Sequence, residues 1–269
     1  MKILNGRDLA DYIKERQAHQ VRGLRQAHSV APKLAIVVTV DNPVIDVYMR
    51  LKKAYGADIL VDVDIHRVEQ AAVPALLESL NIDETVHGII VQLPLADPSQ
   101  TEQIVAMVAP EKDVDALGTN ASFEPATPMA ILWLLAGYNV DLRGKQILLI
   151  GRGKLVGAPL EKLLLGMGHN VTVADRSTSN LQELGLAADI IITAAGSPAL
   201  LFPEMIKDNA VVVDAGVASE DGKTVGDVAA EVYERDDLTI TPTKGGVGPL
   251  TVCALFENVI RAAQARTNL

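Results

Sequence analysis

Cysteine and aromatic residues are scarce in this sequence. Of its 269 residues, one is a cysteine and 3% are aromatic. The lone Cys253 excludes an intramolecular disulfide and is typical of a protein of the reducing cytoplasm, where we expect this one to function. No run of about 18 apolar residues is present that could span a membrane, and the first residues lack the apolar part of a signal peptide. We therefore expect no membrane partner.

Positive charge is also in short supply. The chain has 24 Lys and Arg against 34 Asp and Glu, a formal net charge of −10. Nucleic-acid binding needs a basic stripe, often with stacking aromatic residues, so we expect no nucleic-acid partner. What the chain has in quantity is apolar residues, at 49%. That content and length suit one large domain or two ordinary ones.

Aliphatic strand patterns alternate with helical patterns along the chain, which predicts parallel sheets covered by helices on both faces. The expected fold is therefore α/β. Strands are predicted at 34–40, 58–63, 87–93, 170–174, 189–194, 210–214 and 238–241, and a turn followed by a strand at 141–150. Helices are predicted at 7–28, 43–55, 68–80, 101–108, 129–136, 159–165 and 249–265.

The stretch 41–55 predicts a helix that carries an unusual lysine. Asn42 can cap its first turn, and Pro43 suits the first helical position. Lys52 falls within the apolar arc that we expect to face a core. Buried lysines are rare unless they are paired or functional, although the amine could also extend along the surface into water. The arc consists of Val44, Ile45, Val47, Tyr48, Leu51 and Tyr55.

Polar residues follow the predicted strand 87–93 and the helix after it. Gln92 lies at the carboxyl end of that strand, where open α/β sheets bind ligands. It could meet a ligand or the Lys52 amine, or it could simply cap the strand. The charged segment 110–115 could be a solvated loop. Thr127 is expected to cap the helix 129–136.

A glycine-rich turn, G-R-G-K-L-V-G over 151–157, joins a strand to a helix. It is one residue longer than the dinucleotide-binding pattern G-x-G-x-x-G. Backbone N–H groups at the helix start can hold a pyrophosphate, and Arg152 adds positive charge. The next strand ends in Asp175 and Arg176; an acid there usually binds the ribose of NAD, whereas an arginine accommodates the 2′-phosphate of NADP. Sequence leaves this choice open.

Several motifs occur in an order that resembles the bifunctional methylenetetrahydrofolate dehydrogenase/methenyltetrahydrofolate cyclohydrolase family. The resemblance covers nearly the whole chain. It rests on Tyr48-x-x-x-Lys52, V-Q-L-P-L over 91–95, E-K-D-V-D over 111–115, Thr127-Pro128, Gly151-Arg152 with Val156-Gly157-Ala-Pro159, Gly226-Asp-Val228, Thr241-Pro242, and G-G-V-G-P-L-T over 245–251.

The resemblance implies a role for each matching residue. Tyr48 packs on the folate ring, Lys52 is the central catalytic group, Gln92 tunes that lysine and Asp115 anchors the aminopyrimidine. Leu93, Gly248 and Pro249 complete the implied folate site. The implied coenzyme is NADP, with NAD possible, and no metal is expected. Its site consists of Thr127, Gly151, Arg152, Gly153, Leu155, Val156, Gly157, Asp175, Arg176, Ala195, Gly216, Val217 and Thr251.

The same resemblance implies two α/β domains with the active-site cleft between them. Residues 1–122, completed by the C-terminal helix 249–269, would be the folate-binding catalytic domain, and 123–248 a Rossmann-like NAD(P)-binding domain. A homodimer is also implied. Alternatives are a single-activity or NAD-dependent member, another two-domain NAD(P) oxidoreductase, or a non-catalytic folate- or nucleotide-binding paralogue. Retention of all four catalytic side chains argues against the paralogue.

Some positions depart from the family pattern. Val40 and Ile45 replace the glycine and serine that usually precede the tyrosine, and Ala116 replaces the glycine after K-D-V-D. Asp175 and Arg176 stand where a C-H-S segment is usual. The remaining departures are Gly153 in place of the serine of G-R-S, Ala126 in place of the cysteine of P-C-T-P, and Thr243-Lys244 in place of the V-P of P-V-P-G-G. Because most departures surround the coenzyme, they bear mainly on coenzyme choice and dehydrogenase efficiency.

Overall fold

Strands and helices alternate along the chain in the computed structural model, which describes residues 1–220 and 223–268. The strands are β1 Lys2–Ile3, β2 Lys33–Val38, β3 Asp62–Arg67, β4 Gly88–Val91, β5 Gln146–Ile150, β6 Asn170–Ala174, β7 Ile190–Thr193, β8 Val211–Asp214, β9 Ala218–Glu220, β10 Lys223–Val225 and β11 Thr239–Ile240. The helices are α1 Gly6–His28, α2 Pro43–Asp58, α3 Val73–Ile82, α4 Thr101–Val105, α5 Ala126–Gly137, α6 Gly157–Gly166, α7 Leu181–Ala187 and α8 Val247–Ala265. The α/β class is confirmed.

The chain divides into two units. The small-sheet unit comprises Asp11–Ala126 and the C-terminal segment from Val252. The large-sheet unit comprises Met1–Ala10 and Thr127–Thr251. Position 269, the last of the predicted catalytic domain, lies outside the described residues.

The small-sheet unit contains three parallel strands in the order β3-β2-β4. The central strand β2 is buried along almost its whole length, because its aliphatic side chains are covered on both faces of the sheet. The strands that follow it in sequence pair on opposite sides of it. The carboxyl ends of β2 and β4 therefore form a topological switch point, the usual place for a ligand in such sheets.

One predicted strand of this unit is misplaced. The apolar segment 58–63 was expected to be a strand, but β3 begins only at Asp62. Helix α2 extends to Asp58, and the chain then turns through Leu60, which has a φ of +64°. The side chains of Ile59 and Val61 are buried on either side of the exposed Leu60, and this apolar composition favours a strand.

The large-sheet unit contains six parallel strands in the order β1-β11-β8-β7-β5-β6. Strand β5 lies between β6 and β7, so the switch point is at its carboxyl end, where the glycine-rich turn begins. This confirms a Rossmann-like sheet. Strand β1 at the edge and the antiparallel pair β9–β10 had no sequence signal strong enough to predict them.

Three helices of this chain begin two or three residues earlier than predicted. Helix α5 starts at Ala126, so Thr127 lies inside its first turn and is not its cap. Helix α6 starts at Gly157 rather than at Pro159, and helix α8 at Val247 rather than at Pro249. In all three a proline lies in the first turn, where a missing N–H costs nothing. Within the described residues, no helix is both long enough and apolar enough to cross a bilayer.

Candidate active site

A lysine and a glutamine meet at the switch point of the small sheet. Lys52 lies on α2, which leaves the carboxyl end of β2, and Gln92 directly follows β4. Lys52 Nζ donates a hydrogen bond to Gln92 Oε1 at 2.9 Å. Gln92 Nε2 donates to the carbonyl oxygen of Leu93 at 2.8 Å. The second bond orients the amide so that its oxygen faces the amine, and the amine does not extend into solvent.

Electrostatics prepare this lysine for proton transfer. Burial lowers the pKa of Lys52 below its ordinary value, and the carboxylate of Asp115 partly opposes that shift. Burial likewise raises the pKa of Asp115, with Lys52 acting in the opposite direction. A lowered pKa makes the neutral amine, the form that can accept a proton, easier to reach than in an ordinary lysine.

Only part of the apolar arc of α2 faces a core as predicted. Val44 and Leu51 are 62% and 53% exposed, and Val47 and Tyr48 are also exposed. Ile45 of the arc is buried, as are Met49 and Gly56 of the same helix. Positions 44, 48 and 52 follow one another at helical spacing, so the exposed apolar stripe leads directly to the lysine.

The position of Ile45 also explains one departure from the family pattern. Its side chain is 3% exposed and belongs to the buried face of α2. Replacement of the usual serine here therefore changes helix packing rather than the exposed stripe that carries Tyr48.

The charged segment 110–115 is not a solvated loop. Lys112 is 2% exposed, and its Nζ donates to the carbonyl oxygens of Leu80 at 2.9 Å and Asp83 at 2.7 Å. These carbonyls lie at the end of α3, where a cation is favoured. The buried Asp113 accepts a hydrogen bond from the Gly118 N–H at 2.7 Å. Lys112 and Asp113 thus hold the loop that presents Asp115.

Ala116, directly after that aspartate, has a φ of +56°. A non-glycine residue in this left-handed region carries a steric cost of about 1–2 kcal/mol. We expect Ala116→Gly to raise the free energy of unfolding by about 0.5–1 kcal/mol, since glycine relieves the strain but adds entropy to the unfolded chain. Urea titration measures the change. Ala96→Gly, at an exposed position without positive φ, should lower the free energy of unfolding instead. Equal changes in the two variants would contradict the presence of backbone strain at Ala116.

A cavity of about 570 Å³ lies at the switch point of the large sheet. It brings together six residues predicted for the coenzyme: Gly151, Arg152, Gly153, Asp175, Arg176 and Ala195. Its other lining residues were not predicted: Ile150, Ser177, Leu181, Ala194, Ser197 and Leu200. Only Ser177 had a recognisable signal, because Asp-x-Ser favours a side-chain-capped turn.

Two glycines of the turn are required by its geometry. Gly151 has a φ of +102°, and a Cβ there would lie 2.5 Å from the carbonyl oxygen of Ala194. A Cβ at Gly157 would lie 2.0 Å from the carbonyl oxygen of Gly151. Gly153, by contrast, has open space around its missing Cβ. The first and last glycines therefore create the close approach of backbone that a dinucleotide needs.

The cavity carries charges of both signs. Arg152 Nε and Nη2 donate to the carboxylate of Glu161 at 2.7 and 3.2 Å. Asp175 Oδ1 accepts from the N–H and hydroxyl of Ser177 at 2.8 and 2.6 Å, and these bonds hold the pKa of Asp175 below its usual value. Arg176 is exposed and makes no hydrogen bond or ion pair within the part of the chain that the structure describes. It is therefore available to an anionic group.

The other predicted coenzyme residues lie outside the cavity wall. The hydroxyls of Thr127 and Thr251 are 3.4 Å apart. Gly216 follows β8, and its N–H donates to Asp214 at 3.0 Å. The turns after β5 and β8 contain Leu155, Val156 and Val217. Two residues predicted for the folate site, Gly248 and Pro249, are in the first turn of α8.

Within residues 1–220 and 223–268, no group of three His, Cys, Asp or Glu is arranged to hold a metal ion.

Comparison with known proteins places these sites in context. Residues 125–267 match a family model described as tetrahydrofolate dehydrogenase/cyclohydrolase, NAD(P)-binding domain, and residues 4–115 match the model of the catalytic domain. The bifunctional protein FolD of Acetivibrio thermocellus is 35% identical over 100% of this chain and 99% of its own length.

Solved structures give the same result. The FolD methylenetetrahydrofolate dehydrogenase/cyclohydrolase of Campylobacter jejuni is 35% identical with a TM-score of 0.93, covering 99% of both chains. The corresponding Trypanosoma brucei enzyme, solved with NADP and an inhibitor, is 29% identical with a TM-score of 0.92, covering 99% of this chain and 98% of its own.

Proposed function

Because the chain belongs to the tetrahydrofolate dehydrogenase/cyclohydrolase family, we propose that it oxidises 5,10-methylenetetrahydrofolate with NADP and hydrolyses the product to 10-formyltetrahydrofolate. The observation that carries this proposal is the hydrogen bond between Lys52 and Gln92 beside Asp115. A module that only bound folate or a nucleotide would have no need for a lysine with a lowered pKa.

Most of the proposed substrate contacts are made by residues of the small-sheet unit. The carboxylate of Asp115 accepts hydrogen bonds from the ring N–H and amino group of the aminopyrimidine, a directional and charge-assisted contact. The exposed ring of Tyr48 packs on the flat folate, which explains why an apolar side chain is exposed there. Leu93, Gly248 and Pro249 are proposed to complete the folate site.

The coenzyme is held by the large-sheet unit. The close approach of backbone at Gly151 and Gly157 would let the N–H groups at the start of α6 hold the pyrophosphate of a dinucleotide in the neighbouring cavity. A bound nicotinamide would supply the hydride acceptor for the methylene carbon of the substrate. Arg176 is the proposed partner of the 2′-phosphate, because its charge is not already paired. The remaining coenzyme contacts are those expected from the sequence.

Hydrolysis depends on the lysine. Water attacks the cationic methenyl carbon, and its proton must be removed as the new carbon–oxygen bond forms. Lys52 in its neutral form accepts that proton and Gln92 holds the amine in place. The bond from this carbon to one of its two ring nitrogens then breaks, and protonated Lys52 gives its proton to that leaving nitrogen, which returns the lysine to its neutral state. The new hydroxyl loses its proton to solvent as it becomes the formyl C=O, so hydrolysis of the cation releases one proton overall.

Domain roles and assembly are part of the same proposal. Residues 1–122 with the C-terminal helix supply folate binding and catalysis, and 123–248 supply coenzyme binding. We also propose a cytoplasmic homodimer. A monomer mass in light scattering at micromolar concentration would contradict the dimer.

Coenzyme reduction with methylenetetrahydrofolate tests the function directly. We expect an increase in near-ultraviolet absorbance with NADP, and a smaller increase with NAD.

The variant Arg176→Ala should lower kcat/KM for NADP at least about tenfold, because a charge-assisted hydrogen bond to the 2′-phosphate is lost. It should leave kcat/KM for NAD nearly unchanged. No reduction with either coenzyme would contradict the dehydrogenase. Reduction without subsequent loss of methenyl absorbance would favour a single-activity enzyme.

A further inference from the structure

A half-buried aspartate, Asp214, and a buried one, Asp227, are connected by hydrogen bonds to the wall of the coenzyme cavity. Asp214 ends β8, and Asp227 follows β10. Asp227 is 0% exposed. It belongs to the Gly226-Asp-Val228 motif, which contributes to the family resemblance and is not among the predicted catalytic or binding residues. A buried carboxylate is costly unless several hydrogen bonds satisfy it.

Asp227 binds the cavity wall through both oxygens of its carboxylate. Oδ2 accepts the N–H of Ala195 and Oδ1 accepts the N–H of Ser197, each at 2.7 Å. Ala195 and Ser197 both line the cavity. The backbone carbonyl of Asp227 also accepts the N–H of Leu200, a third lining residue, at 2.7 Å. One buried residue thus holds the segment 195–200 at three points.

Asp214 in turn holds the Asp227 segment. Its Oδ1 accepts the N–H of Asp227 and its Oδ2 the N–H of Val228, each at 3.1 Å. The same carboxylate accepts the hydroxyl of Thr193, at the end of β7, at 3.0 Å. The cavity wall is therefore connected by hydrogen bonds to the carboxyl ends of two central strands.

The two glycines beside these carboxylates leave no space for a side chain. A Cβ at Gly216 would lie 2.2 Å from Asp227 Oδ1, and a Cβ at Gly226 would lie 2.0 Å from Asp214 Oδ2. This close contact between backbone and carboxylates restricts the positions that the Asp214 and Asp227 side chains can adopt.

We propose that Asp227 is a positioning residue for the coenzyme: its two short hydrogen bonds hold the backbone at 195–197 in the shape that binds NADP. The proposal rests on the proposed function, which supplies the coenzyme. A carboxylate is needed at this position because the N–H groups of Ala195 and Ser197 point toward the same side chain and each requires an acceptor. An asparagine has one acceptor oxygen, so it can satisfy only one of them and presents a donor to the other.

Calorimetric titration of NADP into Asp227→Asn tests the role without relying on turnover. We expect the dissociation constant to rise about tenfold or more, since at least one charge-assisted hydrogen bond is lost. Cyclohydrolase kcat and KM, which depend on Lys52, should stay at the wild-type values. A dehydrogenase assay should show a raised KM for NADP with a much smaller change in kcat.

Asp189→Asn is the matched control. Its carboxylate also accepts a backbone N–H, from Gln146 at 3.0 Å, and pairs with Lys207, but Asp189 does not line the cavity. The Asp189→Asn variant should have a lower free energy of unfolding and an unchanged affinity for NADP. If Asp227→Asn does not fold, the nearly isosteric Thr193→Val removes one donor to Asp214 and should weaken NADP binding severalfold.

The outcomes separate the two proposals. Wild-type protein that neither binds nor reduces NADP contradicts the proposed function. Wild-type protein that binds NADP, together with an Asp227→Asn variant that binds it equally well, contradicts only the positioning role. A variant in which cyclohydrolase falls in parallel with NADP affinity also contradicts it, because Asp227 would then act on general stability.

Discussion

Lys52→Met is expected to abolish cyclohydrolase turnover, lowering it by roughly 10²- to 10⁴-fold, while the protein keeps its fold. Methionine is unbranched and apolar and fills much of the volume of the lysine stem. It cannot accept the proton that water loses on attacking the methenyl carbon. The partly buried amine stabilises the fold little, because burial disfavours its charged form. Decay of methenyl absorbance measures turnover, and circular dichroism on heating measures the fold.

The neighbouring lysine supplies the control. Lys53 is exposed on the other side of α2, so Lys53→Met removes the same charge from the same helix without affecting the Gln92 contact. It should retain wild-type turnover. Wild-type turnover in Lys52→Met would refute the catalytic role of Lys52. Equal losses of turnover in Lys52→Met and Lys53→Met would mean that removing any positive charge from α2 lowers activity.

Asp115→Asn is expected to change both substrate affinity and pH dependence. Loss of the proposed charge-assisted contact with the aminopyrimidine should raise KM for the folate about ten- to hundredfold. The Asp115 carboxylate also raises the pKa of Lys52 against the effect of burial, so its removal should lower that pKa further. The neutral amine then persists to lower pH, and the acidic limb of the cyclohydrolase profile should move to lower pH.

A pH profile of cyclohydrolase kcat, which reports on the enzyme–substrate complex, separates the two effects. Glu111→Gln removes an exposed carboxylate from the same loop and should leave both KM and the acidic limb unchanged. An acidic limb of Asp115→Asn that stays in place, or moves to higher pH, would contradict the electrostatic coupling between Asp115 and Lys52.

Elements with strong local signals were predictable from sequence. The cap of α2 is an example, since Asn42 Oδ1 accepts the Val44 N–H at 2.8 Å as expected. Strand β6 has the predicted bounds because its alternating pattern is flanked by turn residues. Where a signal was ambiguous the prediction failed, as at Ile59–Val61, because a buried turn and a buried strand share the same composition.

The candidate sites show the same division. The glycine turn and the Lys52–Gln92 pair were expected from motif and strand position, and the structure brings the lysine and glutamine into direct contact. Asp227 was visible only as a motif letter, because its partners Ala195 and Ser197 are about 30 residues away along the chain. No local pattern encodes such a contact.

Sequence by itself determined the α/β class, the order of the helices and strands, and which side chains are candidates for catalysis and binding. These properties depend on periodicity, turn residues and motif spacing within short segments. Only the tertiary structure decided which face of α2 is buried, which charges of the 110–115 loop are structural, and what holds the wall of the coenzyme cavity. Those properties depend on contacts between distant segments. The free energy of burying Lys112 or Asp227 is acceptable only where carbonyl or N–H groups from those other segments satisfy the charge.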